Sequence, residues 1–155
     1  MYKILFVCHG NICRSPMAEF IFNDMLKKRG ISGIAAQSAA TSTEEIGNPV
    51  HYGTAAVLRR LGIDYSAKRA RQMTRADYSA FDLLVGMDSA NIRNMTRIAN
   101  GDPDGKICRL LDFTDRPRDI SDPWYTGDFE RTLCDVTEGC EALAAHLLRA
   151  GGERP

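Results

Sequence analysis

The chain has 155 residues, 44% of them apolar and 26% charged, and its formal net charge is zero. This is the composition of an ordinary globular domain with enough length for a proper core, and we read it as one domain over 1–155. Zero net charge excludes a global field that would draw in nucleic acid or an anionic membrane surface. No stretch approaches a membrane span, and the opening apolar run is too short for a signal peptide, so a cytoplasmic protein is expected.

"YKILFVC" (2–8) is β-branched and aromatic, as in a buried strand. "SPMAEFIFNDMLKKRG" (15–30) reads as a helix, with Ser15 as N-cap, Pro16 at its first position and Met17, Phe20, Ile21, Met25 and Leu26 as its apolar stripe. "IAAQSAAT" (34–41) reads as a second strand and "VHYGTAAVLRRLGI" (50–63) as a second helix. "FDLLVGMD" (81–88) predicts a third strand, "SANIRNMTRIA" (89–99) a third helix, and "ICRLLDF" (107–113) a fourth strand. A long loop, 114–128, precedes a last helix with Phe129, Leu133, Val136, Cys140, Leu143 and Leu147 at helical spacing. The tail 151–155 is expected to fray.

Alternating strands and helices predict an α/β fold, with a parallel sheet covered on both faces. Ligands of such sheets bind beyond the carboxyl ends of the strands, where Cys8 and Asp88 fall and which the "DISDPWY" loop after strand four is long enough to reach.

There are five cysteines, at 8, 13, 108, 134 and 140, with no CxxC pair, and three dispersed histidines. Neither a disulfide framework nor a metal site is expected. The chemistry concentrates in "CHGNICRS". Between a strand and a helix, inward-pointing amides and the helix dipole make an anion cradle. Gly10 is expected to supply a backbone angle other residues resist, and Asn11 to tolerate left-handed geometry. Arg14 offers a fork of donors matched to phosphate. The Lys-Ser/Thr of a nucleotide P-loop is missing. At the loop's root stands Cys8, and the groups that hold phosphate also favour a thiolate there, with Ser15 as a further donor.

A nucleophile on the floor of a dianion site suits in-line attack on a phosphate monoester. The leaving oxygen needs a proton, and "DISDPWY" offers Asp119 and Asp122. Pro123 fixes the backbone of Asp122, and Trp124 and Tyr125 follow as a rim. Cys13, five residues after Cys8 on a curled loop, is placed to form a reversible disulfide with it. Cys108, Cys134, Cys140, His51 and His146 read as packing or surface residues.

"VCHGNICRSPMAE" and "SDPWY" together resemble the low-molecular-weight protein tyrosine phosphatases. The likeness continues through "SAATS", "EIGNP", "ARQMTRADYSAFDLLVGMD" and "DFE", so it spans nearly the whole chain. The resemblance implies a doubly wound, four-stranded parallel sheet of the phosphotyrosine protein phosphatase I type. It implies Cys8 as the nucleophile that becomes phosphocysteine, Arg14 as the phosphate ligand, and Asp122 as acid for the leaving group and then base for water. His9, Gly10, Asn11, Ile12, Cys13 and Ser15 complete the phosphate loop, with Ser38 and Asp88 bracing it. The implied partners are phosphotyrosine proteins or peptides and oxyanions such as phosphate, sulfate or vanadate. No metal or cofactor is implied, and the chain is expected to be a monomer or weak dimer.

Three departures stand out. Lys68 occupies the place of a family histidine, Glu44 stands where one cleft wall is often aromatic, and Trp124 replaces a frequent Tyr. Three other functions fit the chain less well. Arsenate reductases need cysteines near the end of the third strand, where "LLVGMDSAN" has none. Protein-arginine phosphatases usually carry Thr where Ile12 stands. A non-catalytic phosphate binder fits poorly with Cys8, Arg14 and Asp122 all present.

Overall fold

The computed structural model describes residues 1–149, so the tail 151–155 lies outside the described residues. Four strands, β1 (Tyr2–Cys8), β2 (Ile34–Ala40), β3 (Leu83–Gly86) and β4 (Ile107–Arg109), form one sheet in the order β2-β1-β3-β4. Every pairing is parallel. Strand β1 is central and buried on both sides, which is why it reads as an unbroken apolar run.

Period-two alternation divides β1 between two cores. Ile4, Phe6 and Cys8 face α1 (Arg14–Lys28), α2 (Tyr52–Arg60) and α6 (Phe129–Arg149), packing with Phe22, Leu58 and Val136. Leu5 and Val7 face α3 (Arg75–Ala80) and α4 (Ser89–Ala99), packing with Tyr78 and Met95. The chain leaves β1 toward β2 on one side and β3 lies on the other, so the β1 loop sits where the strand order reverses. That is the crevice position for a ligand in an open α/β sheet.

Several expectations need correction. The fourth strand stops at Arg109, and Leu110–Phe113 coil into a 3₁₀ turn. Leu110 and Leu111 are both fully buried, which a strand alternating between faces achieves less readily than a turn packed on one helix. Leu110 seats against Gly139 of α6, where an added Cβ would stand 2.4 Å from its Cγ. The helix expected from Ser15 begins at Arg14, with Pro16 third rather than first. Its first turn tolerates proline because those amides have no intrahelical partner. Two helices were missed. Helix α3 follows a capping box between Thr74 and Asp77, and α5 (Pro123–Thr126) is capped by Asp122 with Pro123 at its first position. Among the described residues no helix is long and apolar enough to cross a membrane.

Candidate active site

A cleft of about 100 Å³ opens beyond the carboxyl end of β1. Cys8, His9, Gly10, Ile12, Cys13 and Arg14 line it from the loop between β1 and α1. Glu44 and Glu45 come from the segment after β2, and Asp122, Trp124 and Tyr125 from the loop after β4.

The loop is wound around the Cys8 sulfur. Ser15 reaches Sγ with its hydroxyl at 3.0 Å and its amide at 3.4 Å. Asn11 is left-handed, with φ 59°, and nearly fully buried. Its Nδ2 donates to Ser15 Oγ at 2.8 Å and to Ser38 Oγ at 2.9 Å, while its Oδ1 accepts from the Arg71 amide. With Ser15 Oγ accepting from Asn11, its own hydrogen is left for Cys8 Sγ or the more distant Ala39 carbonyl. Ser38 in turn donates to Glu19 Oε1. Lys68 donates to the Ser38 carbonyl at 2.9 Å and stands 3.7 Å from Glu19. Burial, the largest influence on each, pushes the Glu19 carboxyl up and the Lys68 ammonium down from their ordinary values.

Arg14 is 2% exposed and points under the loop. Its Nη1 donates to Asp88 Oδ2 at 2.7 Å and to the Ile120 carbonyl at 2.8 Å, and its Nη2 lies 3.4 Å from Asp122 Oδ2. Burial alone would lower its pKa, but Cys8, Asp88 and Asp122 together hold it above the ordinary value. Cys13 is pushed up to about 12 by burial first and then by Cys8 and Asp122, so it is a neutral thiol.

The low molecular weight phosphotyrosine protein phosphatase family profile matches residues 3–152. The chain belongs to this family. The low molecular weight protein-tyrosine-phosphatase YfkJ of Bacillus subtilis is 44% identical over 150 residues, spanning 95% of this chain and 96% of that protein. The crystal structure of YfkJ superimposes with a TM-score of 0.92, at 43% identity and 96% coverage of both chains. PtpA of Staphylococcus epidermidis is 36% identical, with 96% of each chain covered. A Drosophila arginine phosphatase shares the fold at TM-score 0.86 and 28% identity, covering 93% of this chain and 96% of its own.

In this phosphatase Cys8, His9, Gly10, Ile12, Cys13, Arg14 and Asp122 line one cleft with Glu44, Trp124 and Tyr125, whereas Asn11 and Ser15 do not line it and lie buried with Ser38, and Asp88 stands behind Arg14. Asp119 does not line it; its Oδ1 instead accepts from Ser89 and Arg109. Gly10 departs from expectation because its φ is not in the left-handed region. Space explains it better, since a Cβ there would approach Glu45 Cγ at 3.3 Å. Ser15 caps no helix; its hydroxyl serves the sulfur instead. The rim residues are open, with Glu44 Oε2 2.8 Å from His9 Nε2, Trp124 56% exposed and Tyr125 82% exposed.

Sequence reasoning missed Glu45 in the cleft wall, Glu19 behind Ser38 and the Ile120 carbonyl on Arg14. Glu19 carried a usable signal, lying one helical turn after Ser15. The carbonyl carried none, since any residue supplies one.

Proposed function

We propose that this phosphatase hydrolyses protein phosphotyrosine and small aryl phosphates through a phosphocysteine on Cys8. The observation that carries the reading is the convergence of Cys8 Sγ, the buried Arg14 and Asp122 on one cleft. Both hydrogens of Arg14 Nη1 are engaged by Asp88 and Ile120, which leaves Nε and Nη2 for two oxygens of a phosphate. The Cys8 thiolate attacks phosphorus, the S–P bond forms and the P–O bond to the leaving group breaks. Asp122 gives its proton to the leaving oxygen. Water then attacks phosphorus, Asp122 takes a proton from it, and the S–P bond breaks to release phosphate and restore the thiolate. Arg14 and the loop amides hold the equatorial oxygens throughout.

Glu44 and Glu45 in the cleft wall favour a second reading, hydrolysis of phosphoarginine, since carboxylates suit a guanidinium leaving group. Ile12 weighs against it, being an apolar residue that lines the same cleft at the position where a hydroxyl would serve that group. The enzyme is further read as one cytoplasmic domain, monomeric or weakly dimeric, that takes phosphotyrosine proteins as substrates and needs no cofactor. The test is turnover of phosphotyrosine and phosphoarginine peptides by the wild type, with Cys8→Ser as control. Phosphotyrosine turnover that vanishes in the variant supports the reading. Turnover that survives it, or a preference for phosphoarginine, overturns it.

A further inference from the structure

His51 is used by nothing in the mechanism above, yet it touches two residues that line the cleft, Ile12 and Trp124. Its backbone amide donates to the Ile12 carbonyl in the phosphate loop at 2.9 Å. Its Nδ1 accepts from the Gly53 amide at 3.0 Å, which caps α2 and requires an unprotonated Nδ1. Its ring stacks on Phe129 at 5.2 Å with 14° between planes, and on Tyr52 at 4.2 Å. Phe129 is itself tightly seated, because a Cβ on Gly53 would fall 2.4 Å from its ring. Two stacked rings and the hydrogen bond at Nδ1 therefore hold the imidazole.

What this fixed ring presents to the cleft is a surface for Trp124. The indole meets the imidazole edge-on, with centroids 5.6 Å apart and 73° between planes. Trp124 is more than half exposed, and among the described residues His51 supplies its one aromatic ring contact. An indole on a four-residue helix at the end of a long loop has several rotamers open to it. Contact with a rigid neighbour selects one of them, and edge-to-face geometry is the favourable one.

We propose that His51 is a positioning residue for aryl specificity: it holds Trp124 as the cleft wall against which the ring of an aryl phosphate packs. The proposal rests on the phosphatase reading for its kinetics. The loop itself does not need the imidazole, so phosphate binding and chemistry are separable from the wall.

Two variants divide the roles of the ring and the cap. His51→Asn keeps an N-cap acceptor and removes the ring. His51→Phe keeps a ring and removes the acceptor. For p-nitrophenyl phosphate, His51→Asn lowers kcat/KM by about three- to tenfold, with the loss in KM and kcat held. Inhibition by vanadate stays at the wild-type level, because that ion meets only the loop. His51→Phe is less stable to heat but keeps a near wild-type KM. Trp124 is the only tryptophan in the chain, so its emission reports the wall directly. It shifts to the red and becomes more open to acrylamide in His51→Asn and not in His51→Phe.

An unchanged KM in His51→Asn overturns the proposal, as does a parallel loss of vanadate affinity, which marks general damage to the site. A His51→Phe variant as impaired in KM as His51→Asn also overturns it, since the cap and not the ring would then matter. The emission readout needs no turnover, so a failed phosphatase reading and a failed positioning role give different results.

Discussion

Asp88 divides its carboxylate between two tasks: Oδ1 accepts from the Asn91 amide at 2.7 Å to cap α4, and Oδ2 accepts from Arg14 Nη1 at 2.7 Å. One side chain thereby ties the start of a helix to the buried Arg14. Asp88→Asn retains a capping oxygen but turns its amide nitrogen toward the buried Arg14, so kcat/KM falls about tenfold. Asp88→Ala also loses the cap, at about 1 kcal/mol of stability. Thermal unfolding and steady-state kinetics on both variants check this. Equal melting temperatures with equal activities would remove the double role.

Arg14→Lys fails on both counts. An ammonium cannot donate to Asp88 and Ile120 while presenting a planar pair of donors to phosphate. Near-normal turnover in that variant would refute the phosphate role.

Asp122→Ala separates the acid from the nucleophile. With a poor leaving group such as an alkyl or phenyl phosphate, kcat falls by about 10²–10⁴, because the leaving oxygen lacks its proton. With p-nitrophenyl phosphate the loss is much smaller, since nitrophenolate departs unprotonated. Equal losses on both substrates would rule out the acid assignment.

Peroxide tests the pair of loop cysteines. Oxidation takes Cys8 to a sulfenic acid, which condenses with the Cys13 thiol to form a disulfide and release water. Dithiothreitol therefore restores the peroxide-treated wild type, whereas Cys13→Ser is lost irreversibly at similar doses. Full recovery of the variant would show that Cys13 is not the resolving thiol.

Glu19, largely shielded from solvent, gives a pH signature. Burial raises its pKa in the folded protein, so between the unfolded and folded values the native state binds more protons than the unfolded one. By linkage, stability then falls as pH rises through that window, beginning near about pH 4. Relative to Glu19→Gln, the wild type loses ground from that pH upward, as followed by urea midpoints at several pH values. A difference that grows in favour of the wild type over the same range would reverse the sign assigned to Glu19.

The arrangement is only partly legible in the chain. Cys8, Arg14 and Asp122 announce themselves because their residue types are costly anywhere but in such a site, and because the loop's short spacing allows few geometries. The strand β1 and the helices α1, α4 and α6 follow from periodicity and capping, which act over a few residues. Where the reading failed, the deciding contact was distant. The predicted fourth strand breaks at Arg109 because Leu110 finds Gly139 on α6. Ser15 leaves the N-cap because its hydroxyl is drawn to the Cys8 sulfur.

His51 shows the same division most plainly. Locally it is a histidine before a helix, with nothing to mark it. Its significance comes from Ile12, Phe129 and Trp124, which approach it from three separate parts of the chain. The sequence by itself singled out Cys8, the loop around it and the α/β order, because local hydrogen bonding and hydrophobic period are written into neighbouring residues. The depth of the cleft, the Lys68–Glu19 brace and the footing of its aromatic wall were decided only by packing, which joins residues that no short-range pattern relates.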